Sequence, residues 1–288
     1  MAYCRTHWIR KAFMIPLPRI AVLAFFLFLA VPEALQAGDA DWIALDEGLS
    51  LAVFRETPGS PYVLSVLRID PARYELELLS AAERGRNPMS LRDWCGTFQL
   101  AAAINASMYL EDGRKSTGYM RNFDHVNNPR VNASFGAFLV FHPERPDLPA
   151  VQMVDREQEG WEGLIGRYRT VVQNYRLITL GGRNAWSPPS DDRKFQTAAI
   201  GMDAEGRILF ILSREPRSVH DFANRLLALP LAIRNAMYVE GGQDAGLFIA
   251  RFPPEMRGRG DLSLFEDRLG KDATPSVPNV IGIRKIPR

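Results

Sequence analysis

The chain has 288 residues, 47% of them hydrophobic and 24% charged, a globular composition long enough for one large domain or two small ones. Its formal charge of +2 belongs to the N-terminal segment, because beyond residue 37 there are 31 Lys and Arg against 32 Asp and Glu. Nucleic-acid binding therefore has no electrostatic support.

The N-terminus carries Arg5, Arg10, Lys11 and Arg19, then the apolar run "IAVLAFFLFLAV" and the small-residue stretch "PEALQAGDA". The run has about 12 residues, too few to span a bilayer with ease and suited to the core of a signal peptide. Residues 1–37 read as an export signal cleaved near Ala37, and residues 38–288 as one domain. An uncleaved anchor is the alternative, since Leu35 sits where a small residue is preferred; a start at Met14 gives a more ordinary signal. Cys4 falls in the signal and leaves Cys95 alone, so no intramolecular disulfide is possible in the mature chain. Export without a disulfide framework fits a bacterial periplasmic protein, and a lone cysteine is more often a small buried hydrophobe than a catalyst.

Three short alternating runs follow, "GLSLAVFRE", "YVLSVLRID" and "YELELLSA", which predict antiparallel strands and hairpins. "SLRDWCGTF" predicts a helix capped by Ser90, leading into the buried strand "LAAAINA". "FGAFLVF" is another strand, ended by His142-Pro143, and the polar stretch from Arg145 to Trp161 reads as a connection. "TAAIGMD" and "RILFILS" are strands joined by the turn "DAEG", and "NAMYV" is a third. Between the last two lies "SVHDFANRLLALP", where Ser218 and Asp221 have capping-box spacing, Phe222, Leu226 and Leu229 share a face, and Pro230 stops the helix. "GKDATPSVPNVIGIRK" reads as a terminal loop and strand. Strand, helix, strand in that order predicts a crossover, hence an α+β domain with a mixed β-sheet core flanked by helices.

Polar clusters interrupt the apolar strands at three places. In "INASMYLEDGRKSTGYM", Asn105, Ser107 and Tyr109 alternate, Asp112-Gly113 makes a turn, and Lys115 and Gly118 follow. This is either a hairpin with solvated polar residues or a site, and a bare amide straight after "LAAAI" needs a backbone or ligand partner. In "VVQNYRLI", Gln173, Asn174 and Arg176 mark either an edge strand or a site. In "MYVEGGQDAGLFI", Gly241 and Gly242 permit positive φ or close approach to a ligand beside Glu240, or simply a turn with solvated acids. His125, His142 and His220 lack metal-ligand spacing, and nucleotide-binding and G-x-S-x-G motifs are missing, so neither a metal nor a cofactor is expected.

Taken in order, "AAINASMYLEDGRKSTGYM", "VVQNYRLI", "AAIGMDAEGRILFILSREPRSVHDFANRLLALP" and "MYVEGGQDAGLFI" resemble the phosphodiester glycosidase family over roughly Leu64 to Ile283. Asn105, Ala106 and Tyr109 approximate its Asn-Ala/Gly-x-Phe/Tyr run. Gly241 and Gly242 match its Asp-Gly-Gly, with Glu240 in place of the aspartate and Asp244 where a serine is common; Gln196 stands near a frequent Arg, with Arg193 and Lys194 just before it.

The resemblance implies hydrolysis of a sugar-1-phosphodiester, through an oxocarbenium-like state whose phosphate leaves with little protonation. Such chemistry asks for a carboxylate near the anomeric centre and for cations or amides on the phosphate. Glu240 and Asp244 are the implied catalytic residues, and Lys115, Arg193 and Arg214 the phosphate ligands. Asn105, Tyr109, Gln173, Gly241 and Gly242 complete the substrate site. The implied partner is a carbohydrate or glycosyl phosphate, in the periplasm or outside the cell, with membrane contact only through an uncleaved signal. The alternative is a catalytically silent carbohydrate-binding or envelope-assembly protein on the same fold.

Overall fold

The structure, a computed structural model, describes residues 41–55, 63–250 and 275–287. The export signal and its cleavage site lie outside the described residues. The elements in chain order are β1 (Ile43–Asp46), β2 (Leu49–Phe54), β3 (Leu64–Ile69), β4 (Tyr74–Ser80), α1 (Leu91–Phe98), β5 (Ala102–Asn105), β6 (Met120–Asn122), β7 (His125–Asn128) and β8 (Ala137–Pro143). They continue with β9 (Val151–Asp155), α2 (Trp161–Ile165), β10 (Tyr168–Ile178), β11 (Phe195–Asp203), β12 (Ile208–Arg217), α3 (Val219–Ala228), β13 (Ile233–Gly241), the 3₁₀ turn Gly242–Asp244, β14 (Leu247–Ile249) and β15 (Asn279–Lys285).

Strands dominate. One large sheet runs β1-β2-β3-β12-β11-β13-β10-β6-β7, with β8 on β10 and β9 on β8; a smaller one runs β14-β5-β15-β4. The main core lies between them: Leu67, Ile200, Phe210, Met237 and Val239 of the large sheet pack with Leu76, Ile104, Leu247 and Ile281 of the small one. This two-sided burial is why the strands read as nearly continuous apolar runs. On the outer face of the large sheet, Phe222 and Leu226 of α3 sit against Val66, Leu209 and Ile211. On that of the small sheet, Trp94 and Cys95 of α1 pack on Leu79, Ala103 and Val280.

Both helix starts follow the sequence reading. Ser90 Oγ accepts from the Asp93 amide at 3.1 Å, and Ser218 Oγ from the Asp221 amide at 3.1 Å. Each satisfies one of the unpaired N–H groups of a first turn.

The expected mixed sheet is corrected. Every pairing between named strands is antiparallel. The strand-helix-strand unit is present, but β12 and β13 lie on opposite sides of β11. They run the same way without touching, because the intervening strand supplies an antiparallel partner to each. The stretch from Arg145 to Trp161 is not merely a connection either, since it contains β9, which pairs with β8 from Ala137↔Asp155 to Phe141↔Val151. "VVQNYRLI" is no edge strand: β10 pairs through Thr170 with both Asn122 and Phe141, and through Tyr175 with Tyr238.

Candidate functional site

The site forms where β13 leaves the large sheet and the chain passes through Gly242–Asp244 into β14 of the small one. In the β11–β13 ladder, Ala198 opposes Glu240 while Ala199 opposes Tyr238. Val239 is therefore the extra residue of a β-bulge, a device that re-aims a side chain at the end of a strand.

Glu240 is 8% exposed. Its Oε1 accepts from the amide of Gly241 at 2.9 Å. Burial pushes its carboxyl up from an ordinary 4.5 to about 7; the Gly241 N–H opposes this shift and the charge of Asp244 adds to it. Asp244 follows a single 3₁₀ turn later, and its Oδ2 accepts from the Tyr109 hydroxyl at 2.6 Å. That hydrogen bond, followed by burial and by the charges of Asp244 and Glu240, pushes the Tyr109 phenol up to about 12 and keeps it a donor. Asn105 holds the same loop from the small sheet. Its Nδ2 donates to the Asp244 carbonyl at 2.9 Å, and its Oδ1 accepts from the Gly246 amide at 2.8 Å.

The two glycines serve different purposes. Gly242 has φ +74°, the left-handed region that glycine adopts without strain. Gly241 is extended, but a Cβ there would lie 2.1 Å from the Tyr238 hydroxyl. Beside it stands an unpaired donor: Thr197 opposes Gly241 in the ladder and is 1% exposed, and its Oγ1 has no hydrogen-bond partner. Asn174, fully buried, donates Nδ2 to the Ala106 carbonyl at 2.8 Å and leaves Oδ1 without a partner.

Glu240, Asp244, Asn105, Tyr109, Gly241 and Gly242, up to 139 residues apart, are thus brought together. Gln173 is not part of the group. Its Oε1 accepts from the Tyr119 and Asn132 amides at 3.0 and 2.9 Å, and its Nε2 donates to the Asn132 and Phe135 carbonyls at 2.8 and 2.9 Å. All four positions of the carboxamide are used, so it has nothing left for a sugar. It braces the loop before β8.

The three candidate cations differ. Arg214 follows Ser213, which opposes Thr197, which opposes Gly241. It therefore stands at the same end of the sheet as Glu240, two strands or about 10 Å away. Burial lowers the pKa of its guanidinium. Lys115 lies on the exposed tip of the hairpin that carries Tyr109, closed by the Tyr109↔Ser116 bridge. Arg193 is 81% exposed and paired with Asp191 at 2.7 Å.

The sequence reading missed Tyr238, Tyr175 and Trp186. Their rings form a cluster with centroids 5.4 to 6.4 Å apart, next to Gly241. The only signal for Tyr238 was its place two residues before Glu240.

Two other chemistries find no machinery here. Cys95 is buried with its thiol pushed up to about 12 by desolvation, an inert core residue. His142 Nδ1 lies 2.8 Å from Thr170 Oγ1 and its Nε2 3.2 Å from Glu75, a nucleophile-like arrangement, but Thr170 is fully buried and donates to Asn122 at 2.9 Å. Among the described residues no three of His, Cys, Asp and Glu gather as a metal-ligand set.

The pattern of the phosphodiester glycosidase family matches residues 98–284, which takes in the whole of this site. The chain belongs to the phosphodiester glycosidase family. No curated protein matches it. Among solved structures, the fold is similar to the catalytic domain of zebrafish N-acetylglucosamine-1-phosphodiester alpha-N-acetylglucosaminidase, auto-inhibited by its pro-peptide, with TM-score 0.58 and 12% identity over 86% of this chain and 87% of that one. It is also similar to a hypothetical protein from Synechocystis, with TM-score 0.55 and 14% identity over 86% of this chain; the chain spans 64% of that protein's length.

Two stability measurements check this geometry. A glutamate whose folded pKa is raised binds its proton more tightly in the folded chain, so folding stability falls as pH rises from 4.5 to about 7. Glu240→Gln lacks that loss. Denaturant titrations should show it gaining on the wild type across this window, by on the order of 3 kcal/mol at most, with no further gain above pH 8. Gln173→Leu strands two buried amides and two carbonyls and should cost more than about 3 kcal/mol at every pH; an unchanged melting temperature would contradict the bracing role.

Proposed function

We propose that the protein is an exported hydrolase, a single domain from residue 38 to 288 behind a cleaved signal, that cleaves an N-acetylglucosamine-1-phosphodiester-like substrate in envelope or exopolysaccharide metabolism. The observation that carries this reading is the pair of acids at one sheet end held in unlike environments. Glu240 is buried and titrates near 7, whereas Asp244 is pinned by the Tyr109 hydroxyl at 2.6 Å. Unequal carboxyl groups are what acid and base work on one glycosyl centre requires.

In this reading the bond between C1 and the phosphate oxygen breaks, with positive charge developing on the ring and the bonding pair leaving with the phosphate. Asp244, held by the Tyr109 hydroxyl, is assigned the carboxylate that stabilises that charge. Glu240 takes a proton from the water that adds to C1, and a pKa near the working pH suits a general base. Arg214 faces the phosphate, and an unpaired phosphate in a partly buried cleft costs several kcal/mol. Asn105 uses one N–H and one lone pair to hold the Asp244 loop and retains one of each for a hydroxyl or N-acetyl group.

A catalytically silent carbohydrate-binding protein is the second reading. It draws on the ring cluster of Tyr175, Trp186 and Tyr238, surfaces on which sugars stack.

Turnover of a panel of sugar-1-phosphodiesters by the mature protein separates the two. Under the hydrolase reading, Glu240→Gln loses a hundredfold or more in kcat while its far-UV spectrum stays that of the wild type, and the limb of the pH profile near 7 disappears. If the wild type turns over no member of the panel and Glu240→Gln changes affinity alone, the silent reading holds. Export is checked separately by N-terminal sequencing of protein from the periplasm or medium, which should begin between Gly38 and Asp41.

A further inference from the structure

Outside the Glu240 site, a chain of polar groups crosses from the large sheet to the small one. Thr170 of β10 opposes Asn122 of β6 on one side and Phe141 of β8 on the other, with His142 next in β8. At one end of the chain Asn122 Nδ2 donates to the Leu78 carbonyl at 3.2 Å and to the Glu83 carboxylate at 3.0 and 3.1 Å. At the other, His142 Nε2 lies 3.2 Å from Glu75 Oε1. Leu78 and Glu75 belong to β4, the edge strand of the small sheet. We propose that His142 is an acid-operated clasp: only with a proton on Nε2 does its imidazole tie β8 of the large sheet to Glu75 of the small one.

The first argument is an accounting of donors. Asn122 spends its N–H groups on Leu78 and Glu83, so its Oδ1 is the acceptor that faces Thr170. The single O–H of Thr170 goes to that oxygen at 2.9 Å. Thr170 Oγ1 is then left to accept from His142 Nδ1, 2.8 Å away. Nδ1 therefore carries a hydrogen in both charge states of the ring. A neutral imidazole has only that one N–H, so its Nε2 lone pair points at a carboxylate oxygen, and two acceptors repel. The Glu75 contact becomes a hydrogen bond when a second proton arrives on Nε2.

The second argument is that one half of the clasp is rigid and the other can move. The His142 side chain is 17% exposed, and its ring lies 4.9 Å from that of Phe123 and 5.0 Å from that of Phe141. Its backbone has φ +55°, the left-handed region that residues other than glycine seldom adopt, directly before Pro143. Such conformations persist where the surroundings enforce them, and they collect at switches and sites. The Glu75 side chain is 54% exposed, so it can turn between the imidazole and water.

The third argument is where the balance of charges sets the switch. Burial disfavours the imidazolium; Glu75 and Glu77 of β4 favour it, and Arg169 of β10 opposes it. Glu77 is itself paired with Arg284 of β15, and the Arg169 guanidinium lies 4.1 Å over the Phe123 ring. Burial outweighs the rest and holds His142 below the ordinary 6.5. The clasp is thus open at neutral pH and closes under mild acid. A folded pKa below the unfolded one means that stability falls as pH drops below 6.5, and the Glu75 contact limits that fall.

The test follows the imidazole nitrogens by NMR across the mildly acid and neutral range, in the wild type, Glu75→Ala and Glu75→Gln. The His142 signals are those missing from His142→Gln. In the neutral form the hydrogen should sit on Nδ1. Glu75→Ala should lower the His142 pKa by about half a unit or more, roughly threefold in proton affinity, which by linkage is the proton-dependent part of the tie between the sheets. Glu75→Gln should lower it further, because its amide can donate to the bare Nε2 and close the clasp without a proton. Both substitutions fall at an exposed position and leave the core untouched. A neutral ring with its hydrogen on Nε2, or a His142 pKa that is the same in both variants as in the wild type, would overturn the clasp.

Discussion

The carboxamide of Asn105 joins the two sheets at the second of the two points, after β3 and after β13, where the chain passes from the large to the small. Strand β5 presents it, and its two hydrogen bonds, to the Asp244 carbonyl and from the Gly246 amide, fix the segment between β13 and β14. Everything chemical in the site hangs on that segment. Asp244 is placed by it, Tyr109 finds its acceptor there, and Glu240 owes part of its raised pKa to the Asp244 charge. A buried amide with one half of its capacity committed to backbone is costly to misplace, so the same group that closes the core also sets the geometry of the acids.

Burial on one side and exposure on the other then differentiates two carboxyl groups that the sequence presents as equals. Glu240 lies at the end of a strand that is buried from Asn235 onward, and the bulge at Val239 gives it a position in the ladder opposite Ala198. Desolvation there outweighs the single N–H from Gly241. Asp244 sits a turn further on, half-exposed, with a phenol as donor. The Glu240 side chain folds back so that its carboxyl accepts from the amide of the next residue at 2.9 Å. The arm is therefore held short by its own backbone.

Much of this was legible in the chain. Most of the strands and both capped helices follow from apolar periodicity and cap spacing, and the grouping of Asn105, Tyr109, Glu240 and Asp244 from the ordered motifs of the resemblance, whereas β1, β6, β7 and β9 were not read from the sequence. What failed has a common physical cause. The direction of β13 relative to β12 depends on which strand fills the gap between them, and nothing in either segment records that β11 does so. Gln173 looked like Asn105, a polar residue in an apolar strand. Whether an amide faces a loop to brace or a ligand to bind is decided by residues 119, 132 and 135, which lie far from it in sequence. Tyr238 and Tyr175 do not stand out in the sequence because an aromatic ring in a strand looks the same whether its edge meets packed chain or a cavity.

The placement of positive charge distinguishes the two sides of the Glu240 strand end. Arg176 is nearly enclosed and balanced by Asp155 and Glu157. Arg214 lies at the other side of the Glu240 strand end, where burial lowers the pKa of its guanidinium. The Tyr238 ring, in contact with the rings of Tyr175 and Trp186 and with Gly241, stands between the two.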